Sequence, residues 1–413
     1  MDLKKMQFQF LKKLCYLIFL VTLVGNFTSC KGQTNTISQT KVFAKKKKLV
    51  GGGCDGCELM YVGMPKNITA RDTSAGWTEK GQKLLVTGTV YKLGGKIPAP
   101  NVIIYYWQTD NNGYYSPKVG MDERAKRHGH IRGWVKTDEN GNYSIYTIRP
   151  SPYPNRDAPA HIHIAIKEPN IDDEYYIDSF VFSDDRLLTR KKREQFKNRG
   201  GSGILRVLID GAMQIAEHNI VLGLNIPNYP KDNSNKLKSG LEIGEEIPSF
   251  SPYHAFGPDK GTTTCPVCKY GRFQGILYFV GNKPNWDKIK KWLFFLESES
   301  VRRSYYLKVY FVYGNSVDYS KRNRKKVLEE LGNELQLEHT ALTFVPSFHD
   351  IESEIKLNRI NQEVKNTFII YRHRTMVDKF VDLEPIEENY KRISKTLDNT
   401  KSKYFNLPEP KYH

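Results

Sequence analysis

The sequence lacks several features that would point to particular classes of protein. It has no internal repeat, and after residue 24 it has no apolar run that could cross a membrane. It carries no nucleic-acid fold signature, although 63 basic against 45 acidic side chains give a formal net charge of +18. The lysines are scattered or lie in short runs, which favours a basic solvated surface and a basic tether. We therefore expect no nucleic-acid partner.

Residues 1–30 have the layout of an export signal. Lysines precede a short apolar run at residues 14–24, and Phe27-Thr28-Ser29-Cys30 follows it. This order is typical of a bacterial lipoprotein signal, in which Cys30 would be lipidated and become the new N-terminus. An ordinary signal peptide or an uncleaved anchor is the alternative. We expect an exported protein, periplasmic or at the outer membrane, that is held at the membrane by the lipid on Cys30.

Cysteines are few, with six in 413 residues. Four of them form two CxxC pairs, Cys54/Cys57 and Cys265/Cys268. In an exported protein such close pairs are disulfide candidates. A zinc site built from both pairs is the alternative, but the pairs fall in different predicted domains. For the first pair, in a glycine-rich loop, we expect a local disulfide or a turn and no catalytic role.

Periodicity predicts two domains of different class, an all-β sandwich followed by an α/β domain. Between residues 83 and 208 short strands of period two alternate with turn signals, and no long amphipathic helix interrupts them. After residue 243 strands alternate with helices and end in a hairpin. The predicted segments are a tether with the CxxC loop (31–66), the sandwich (67–226), a linker (227–243), the α/β domain (244–395) and a polar tail (396–413).

The stretch with the most evident chemistry is 147–166, TIRPSPYPNRDAPAHIHIAI. His161 and His163 lie two apart in a predicted strand, so both imidazoles point to one face. Tyr153 precedes them in a proline-rich turn. Two imidazoles and a phenol make a plausible site for a hard metal ion, since a bound trivalent ion would hold the phenolate ionised. Singly, each of these residues could be an ordinary core or turn residue.

Residues 80–185 resemble the intradiol ring-cleavage dioxygenases, the catechol and protocatechuate 3,4-dioxygenase family. Three blocks carry the resemblance: Trp107-Gln108-Thr109-Asp110 with Gly113-Tyr114-Tyr115-Ser116; Thr137-Asp138 with Tyr143-Ser144 and Thr147-Ile148-Arg149-Pro150; and Pro152-Tyr153-Pro154 with Pro159-Ala160-His161-Ile162-His163. The resemblance implies a β-sandwich and an enzyme that opens a catechol-type ring with O2 to give a muconate-type diacid.

The resemblance also implies a cofactor, Fe(III), and its ligands. By motif match these are Tyr115, Tyr153, His161 and His163, with Tyr114 as the nearest rival of Tyr115. Hard phenolates suit ferric iron, and imidazoles complete the coordination sphere. In the family the tyrosinate that matches Tyr153 is thought to leave the metal and act as base for the incoming catechol. Tyr153 and Arg156 are therefore the predicted catalytic residues.

The chain departs from the family pattern around these ligands. The family commonly has an arginine three residues before the first ligand histidine, where this chain has Ala158, and Arg156 is the nearby residue that could substitute. A family glutamine on the next strand aligns with Ser179. These changes favour an alternative function, an exported binding module whose sandwich holds metal without ring cleavage.

Residues 244–385 resemble thioredoxin-like, or redoxin, domains. The resemblance rests on Gly244 to Phe250, Gly257 to Gly261 and Cys265-Pro266-Val267-Cys268. A predicted strand, helix, strand, helix and hairpin follow these residues in that order. The resemblance implies a further alternative, a periplasmic thiol–disulfide oxidoreductase acting through Cys265 and Cys268. In thioredoxin, however, the CxxC follows the first central strand, and here it precedes the strand at 276–280. A structural disulfide is the other interpretation.

Overall fold

The fold was analysed in a computed structural model, which describes residues 48–230 and 238–410. The predicted export signal, Cys30 and most of the tether lie outside the described residues. Among the described residues, no helix is both long and apolar enough to span a membrane.

The first half of the chain contains two six-stranded sheets. The first consists of β1 (Arg71–Thr73), β2 (Lys83–Tyr91), β5 (Asn142–Ile148), β10 (Val207–Asp210), β11 (Met213–Glu217) and β12 (Ile220–Val221). The second consists of β3 (Ile103–Gln108), β4 (Arg132–Lys136), β6 (His161–Lys167), β7 (Tyr175–Tyr176), β8 (Phe180–Phe182) and β9 (Ile204–Leu205). Their strand orders are β1-β5-β2-β11-β10, with β12 beside β2, and β4-β3-β6-β8-β9, with β7 beside β6.

The two sheets bury one shared core. Val86 of β2 and Ile145 of β5 meet Ile104 of β3 and Ile164 of β6 in a single apolar cluster. Alternation along each strand sends every second side chain into this cluster, as the period-two pattern predicts. The arrangement is compatible with the predicted β-sandwich, and we call residues 67–226 the sandwich. A short helix, α1 (Arg190–Glu194), follows β8.

The second half is built on a six-stranded mixed sheet of order β13-β16-β15-β14-β17-β18. The three strands β14, β15 and β16 run parallel, and the others pair antiparallel with their neighbours. The elements are β13 (Tyr253–Phe256), α2 (Pro266–Lys269), β14 (Gln274–Val280), α3 (Trp286–Arg302), β15 (Leu307–Tyr313), α4 (Lys321–Glu334), β16 (Thr340–Phe344), β17 (Thr367–Arg372), β18 (Thr375–Val381) and α5 (Glu387–Thr400). Apolar clusters cover both faces of the sheet, as expected for parallel strands.

The predicted polar tail does not stand away from the fold in its described part. Helix α5 extends to Thr400, and the segment after it packs back on the sandwich. The Ile209 N–H of β10 donates to the carbonyl of Pro408 at 2.8 Å, and Arg206 forms an ion pair with Glu409. The described part of the tail therefore packs beside β10. The predicted domain boundaries stay predictions.

Candidate metal centre

Four side chains on two loops and one strand bring their polar atoms into a closed ring. Tyr115 Oη lies 2.7 Å from Tyr153 Oη, which lies 3.0 Å from His161 Nε2. His161 Nε2 is 3.1 Å from His163 Nε2, and His163 Nε2 is 2.9 Å from Tyr115 Oη. The structure thus brings together all four residues that the sequence predicts as metal ligands. Tyr114, the rival of Tyr115, points to solvent with 58% of its surface exposed.

The strand β6 positions the two histidines. Ile162 and Ile164 point into the sandwich core, so His161 and His163 share the opposite face. β3 pairs with β6 on one side, where Trp107 lies opposite His163, and β8 pairs on the other side, where Val181 lies opposite His161. Because β6 has a strand on each side, its backbone has little freedom to move the imidazoles.

The loop after β3 carries Tyr115 and is held by one carboxylate. Asp110 Oδ1 accepts hydrogen bonds from the N–H groups of Asn112 (2.8 Å) and Tyr114 (3.1 Å), and its Oδ2 accepts one from Ser116 Oγ at 2.6 Å. Burial alone would raise the pKa of the Asp110 carboxyl, but these hydrogen bonds outweigh it and the pKa lies below its usual value. The ionised carboxylate therefore fixes the backbone on both sides of Tyr115.

Close backbone approach on the other side of Tyr115 needs a glycine. Gly129 has a φ of +66°, and a Cβ there would lie 2.9 Å from the backbone of Tyr115.

Tyr153 sits in the turn between Pro152 and Pro154, and Asn155 ends the turn in the left-handed region at φ +59°. Prolines fix φ on both sides of the tyrosine, which holds the phenol toward the ring of polar atoms.

Burial keeps the Tyr115 phenol and the two imidazoles neutral in the absence of a cation. It raises the pKa of Tyr115 well above its usual value, with the hydrogen bond to Tyr153 adding to the effect. It lowers the pKa of His161, and, with the nearby His161 and His128, it lowers the pKa of His163 to about 3. A metal ion would reverse this balance for the phenols, since it stabilises the phenolate.

The donor set fits a metal ion. His161 Nδ1 lies 2.8 Å from the carbonyl of Pro159, which can only accept, so Nδ1 donates and the lone pair of Nε2 faces the centre. The two Nε2 atoms face each other, and a cation among the four polar atoms would satisfy both together with the phenolate oxygens. Among the described residues, no cluster of three or more His, Cys, Asp or Glu side chains is placed to hold a metal.

The other predicted residues differ in how closely they approach the centre. Arg156 is exposed, and its guanidinium lies 5.9 Å from the ring centroid of Tyr153. Ser179 Oγ lies 3.4 Å from His163 Nδ1, a long contact for a residue that would orient the imidazole. Ala158, between Arg156 and the histidines, offers no charge. The structure therefore has an exposed arginine in the turn after Tyr153 and none at residue 158.

Two residues back the centre behind His163, and the sequence motifs assign neither of them a role. His128 lies in a basic polar segment, Arg127-His128-Gly129-His130, yet it is 5% exposed and stacks on Trp107 with centroids 4.1 Å apart. Trp107 in turn stacks on His163 at 4.8 Å. The signal for His128 was weak, because a histidine in a polar loop has no periodicity that would place it in the interior.

Both CxxC pairs form disulfides, Cys54–Cys57 and Cys265–Cys268. The first closes the loop that was assigned to the tether, yet Cys57 is fully buried and packs with Trp107 and Tyr105. The second lies at the start of α2 in the second half, where Cys268 is exposed. Neither pair contributes to the four-residue ring.

Comparisons with known proteins relate the sandwich to ring-cleaving dioxygenases. Residues 61–199 match a family model described as dioxygenase (Dioxygenase_C). The chain is 30% identical over 95 residues to the catechol 1,2-dioxygenase of Acinetobacter baylyi, covering 23% of this chain and 30% of that protein. It is 34% identical over 92 residues to the protocatechuate 3,4-dioxygenase beta chain of Burkholderia cepacia, covering 21% of this chain and 39% of that protein.

A solved structure is also similar, the dioxygenase domain of a dioxygenase carbohydrate-binding protein fusion from Streptomyces sp. SirexAA-E. It is 21% identical with a TM-score of 0.30, and the match covers 38% of this chain and 91% of that chain. The chain spans about a third of the length of the two curated relatives that it matches. Residues 61–199 are thus related to the intradiol dioxygenase family, as the sequence motifs indicated. The comparisons do not extend this relation to the second half.

Proposed function

We propose that the sandwich binds ferric iron through Tyr115, Tyr153, His161 and His163 and cleaves a catechol-type ring with O2 to a muconate-type diacid. The observation that carries the proposal is the closed ring of four polar atoms, with neighbouring atoms 2.7–3.1 Å apart. Two phenolic oxygens and two imidazole nitrogens are a donor set suited to Fe(III). The similarity of residues 61–199 to intradiol dioxygenases supports the same reaction.

Bound ferric iron would supply the Lewis acidity that activates a catecholate toward O2. The chain's own residues prepare the substrate. Tyr115 and Tyr153 are both on loops, but the bonds of Asp110 hold the loop of Tyr115, so Tyr153 is the ligand better able to move away from the centre. Its phenolate oxygen would then accept a proton from the incoming catechol hydroxyl. Arg156 lies beside the ring of Tyr153 and would attract the anionic catecholate.

His161 and His163 have a different role, because they are on a central strand. The hydrogen bond from His161 Nδ1 to the carbonyl of Pro159 holds its lone pair toward the centre throughout the reaction. Ala158 leaves the substrate side with less positive charge than the family pattern provides. We therefore expect iron binding to be tight and turnover to be slow unless Arg156 moves inward.

The first test is the visible absorption of the purified mature protein with iron, before and after catechol is added in air. Tyrosinate bound to Fe(III) should give a broad charge-transfer band that shifts with catechol and recovers as the diacid forms. Tyr153→Phe should change the band and lower turnover, and His161→Ala should release iron. A full iron complement in His161→Ala, or an unchanged band in Tyr153→Phe, would contradict the ligand assignment.

If the band shifts with catechol and then persists without product, the sandwich is a metal-bearing binding module and not an enzyme. Ala158 and Ser179 are the residues that favour that outcome. The predicted export and the lipid on Cys30 belong to the same proposal, and metabolic labelling with a radioactive fatty acid, compared between the wild type and Cys30→Ala, would test them.

A second candidate function concerns the other half, for which we propose a thioredoxin-like fold with thiol–disulfide exchange at Cys265–Cys268. The alternation of β14, α3, β15 and the closing hairpin of β17 and β18 supports the fold. The disulfide and the exposed position of Cys268 at the start of α2 support the chemistry. Insulin reduction by a dithiol should require both cysteines. Ring cleavage that survives Cys265→Ser with Cys268→Ser would show that the two activities are independent.

A further inference from the structure

The two candidate histidine ligands are held in different ways. His161 has a hydrogen bond of 2.8 Å from Nδ1 to the carbonyl of Pro159. The Nδ1 atom of His163 lies 3.4 Å from Ser179 Oγ. A contact of this length is too weak a hydrogen bond to fix the plane of the imidazole. Metal-binding histidines need an outer partner, since without one the ring can rotate about χ2. Something else must therefore hold His163.

That support is an aromatic stack. The ring of Trp107 lies nearly parallel to His163, with centroids 4.8 Å apart and an interplanar angle of 15°. The other face of Trp107 is covered by His128 at 4.1 Å and 3°. Trp107 lies directly opposite His163 in the pairing of β3 with β6, so the backbone register sets the two rings side by side. The indole is therefore clamped between one candidate ligand and His128.

His128 is in turn fixed on two sides. Its Nδ1 lies 2.8 Å from the hydroxyl of Tyr105, which is on the same face of β3 as Trp107. Burial, with the nearby cations Arg132 and Arg127, lowers the pKa of His128 to about 3, so the imidazole is neutral at physiological pH. A neutral ring can stack on Trp107 without adding positive charge beside a cation site.

The loop closed by Cys54–Cys57 covers the remaining edge of His128. A Cβ on Gly56, whose φ is +92°, would lie 2.8 Å from His128 Nε2, so the loop backbone rests on the imidazole. Arg127 holds this loop with ion pairs to Asp55 (3.2 Å) and Glu58 (3.0 Å). Both cysteines pack in the same small apolar cluster as Trp107.

We propose that Trp107 and His128 are positioning residues that orient His163 toward the metal, and that the Cys54–Cys57 disulfide loop holds this stack in place. The inference rests on the proposed function for the identity of the metal, but the contacts that carry it are those of the chain. The disulfide loop near the N-terminus is thus part of the support of the centre, although it contributes no ligand.

The test measures ferric iron affinity in His128→Ala and His128→Phe. The alanine variant removes the outer face of the stack, and affinity should fall about 10- to 100-fold, as for the loss of other outer partners of metal ligands. The phenylalanine variant keeps a flat ring without the bond to Tyr105, and it should regain most of the affinity. Wild-type affinity in the alanine variant, or equal loss in both, would overturn the positioning role.

The two disulfides provide a matched pair for the loop. Replacing Cys54 and Cys57 by serine should lower iron affinity about 10-fold and shift the charge-transfer band. The same change at Cys265 and Cys268 should leave the iron affinity and the charge-transfer band unchanged. Equal effects of the two double variants, or none from the first, would contradict a role of the loop.

A readout in the iron-free protein separates this inference from the proposed function. In side-chain NMR of labelled histidine, His163 should give one narrow set of ring signals in the wild type and a broadened or shifted set in His128→Ala. His161, held by Pro159, should keep narrow signals in both proteins, whatever shift the neighbouring His163 ring causes. If the wild type binds no iron, the proposed function fails while this comparison still decides on the stack. Unchanged His163 signals would overturn it.

Discussion

The Asp110 carboxylate offers the sharpest test of how the sandwich holds Tyr115. Asp110→Ala removes three acceptor contacts, those to the N–H groups of Asn112 and Tyr114 and to Ser116 Oγ. A hydrogen bond to a charged group contributes about 1.5–3 kcal/mol. Asn112 and Tyr114 are exposed, so water would replace part of the loss. We expect the free energy of unfolding to fall by about 2–4 kcal/mol and iron affinity to fall with it.

Asp138 is a matched control, because it makes the same pattern of bonds in an exposed hairpin turn. Its Oδ1 accepts from the N–H groups of Asn140 and Asn142 at 2.9 and 2.7 Å, and its Oδ2 accepts from Asn142 Nδ2 at 3.1 Å. Asp138→Ala should cost about 1 kcal/mol, the lower end for surface hydrogen bonds, and leave iron affinity unchanged. Urea unfolding and iron titration measure the two effects separately.

The pH dependence of the free energy of unfolding shows whether the charge of Asp110 stabilises the folded protein. The pKa of Asp110 is lower in the folded protein than in the unfolded chain, so its stabilisation is present above pH 4 and is lost as the pH falls through the folded value. The difference between wild type and Asp110→Asn should therefore shrink below pH 4. An Asp110→Ala variant that is as stable as the wild type, or that loses no more iron affinity than Asp138→Ala, would refute the reasoning.

Three further changes have expected outcomes. Gly129→Ala should destabilise the protein by about 1–3 kcal/mol and weaken iron binding, as seen by thermal unfolding and iron titration, because its Cβ would meet the backbone of Tyr115 at φ +66°. Ala158→Arg restores the charge of the family pattern and should raise the rate of catechol turnover; an unchanged rate would show that Arg156 already supplies it. His218 is buried with a pKa lowered to about 3, so the unfolded chain takes up its proton first as the pH falls. Between pH 6.5 and 3 this histidine should cost about 1.4 kcal/mol of stability per pH unit, and His218→Leu should remove that slope.

Much of the centre could be predicted from local sequence, because its geometry is local. The i and i+2 spacing of His161 and His163 fixes their common face once the segment is a strand. The turn between Pro152 and Pro154 brings Tyr153 back toward that strand. Tyr115 was distinguished from Tyr114 only by motif match, and the structure shows the physical reason, since the bonds of Asp110 to the flanking backbone turn one tyrosine inward and leave the other exposed.

The parts that were not predicted depend on contacts between distant segments. His128 is interior only because the loop of residues 54–57 and the strand β3 close around it. The strands β11 and β16 lie in segments with no clear alternation, and they are strands because neighbouring strands pair with them. The end of the chain was predicted as a polar tail. Its packing depends on contacts with distant segments that composition does not reveal, among them the Ile209–Pro408 main-chain bond, the Arg206–Glu409 ion pair and the ring contact of Phe405 with Tyr306.

The second half of the chain is tied to the candidate centre through one short helix. Lys192 of α1 pairs with Asp157, which lies in the loop between Tyr153 and His161. The next residue, Arg193, pairs with Glu246 at 2.7 Å, and Glu246 also pairs with Arg374 at the β17–β18 turn. Isolated surface ion pairs contribute little to stability. Here, however, Arg193 and Arg374 share the carboxylate of Glu246, and all three side chains are less than 25% exposed. Removal of the second half would leave Arg193 without this partner, so the second half bears on the loop between Tyr153 and His161 through α1.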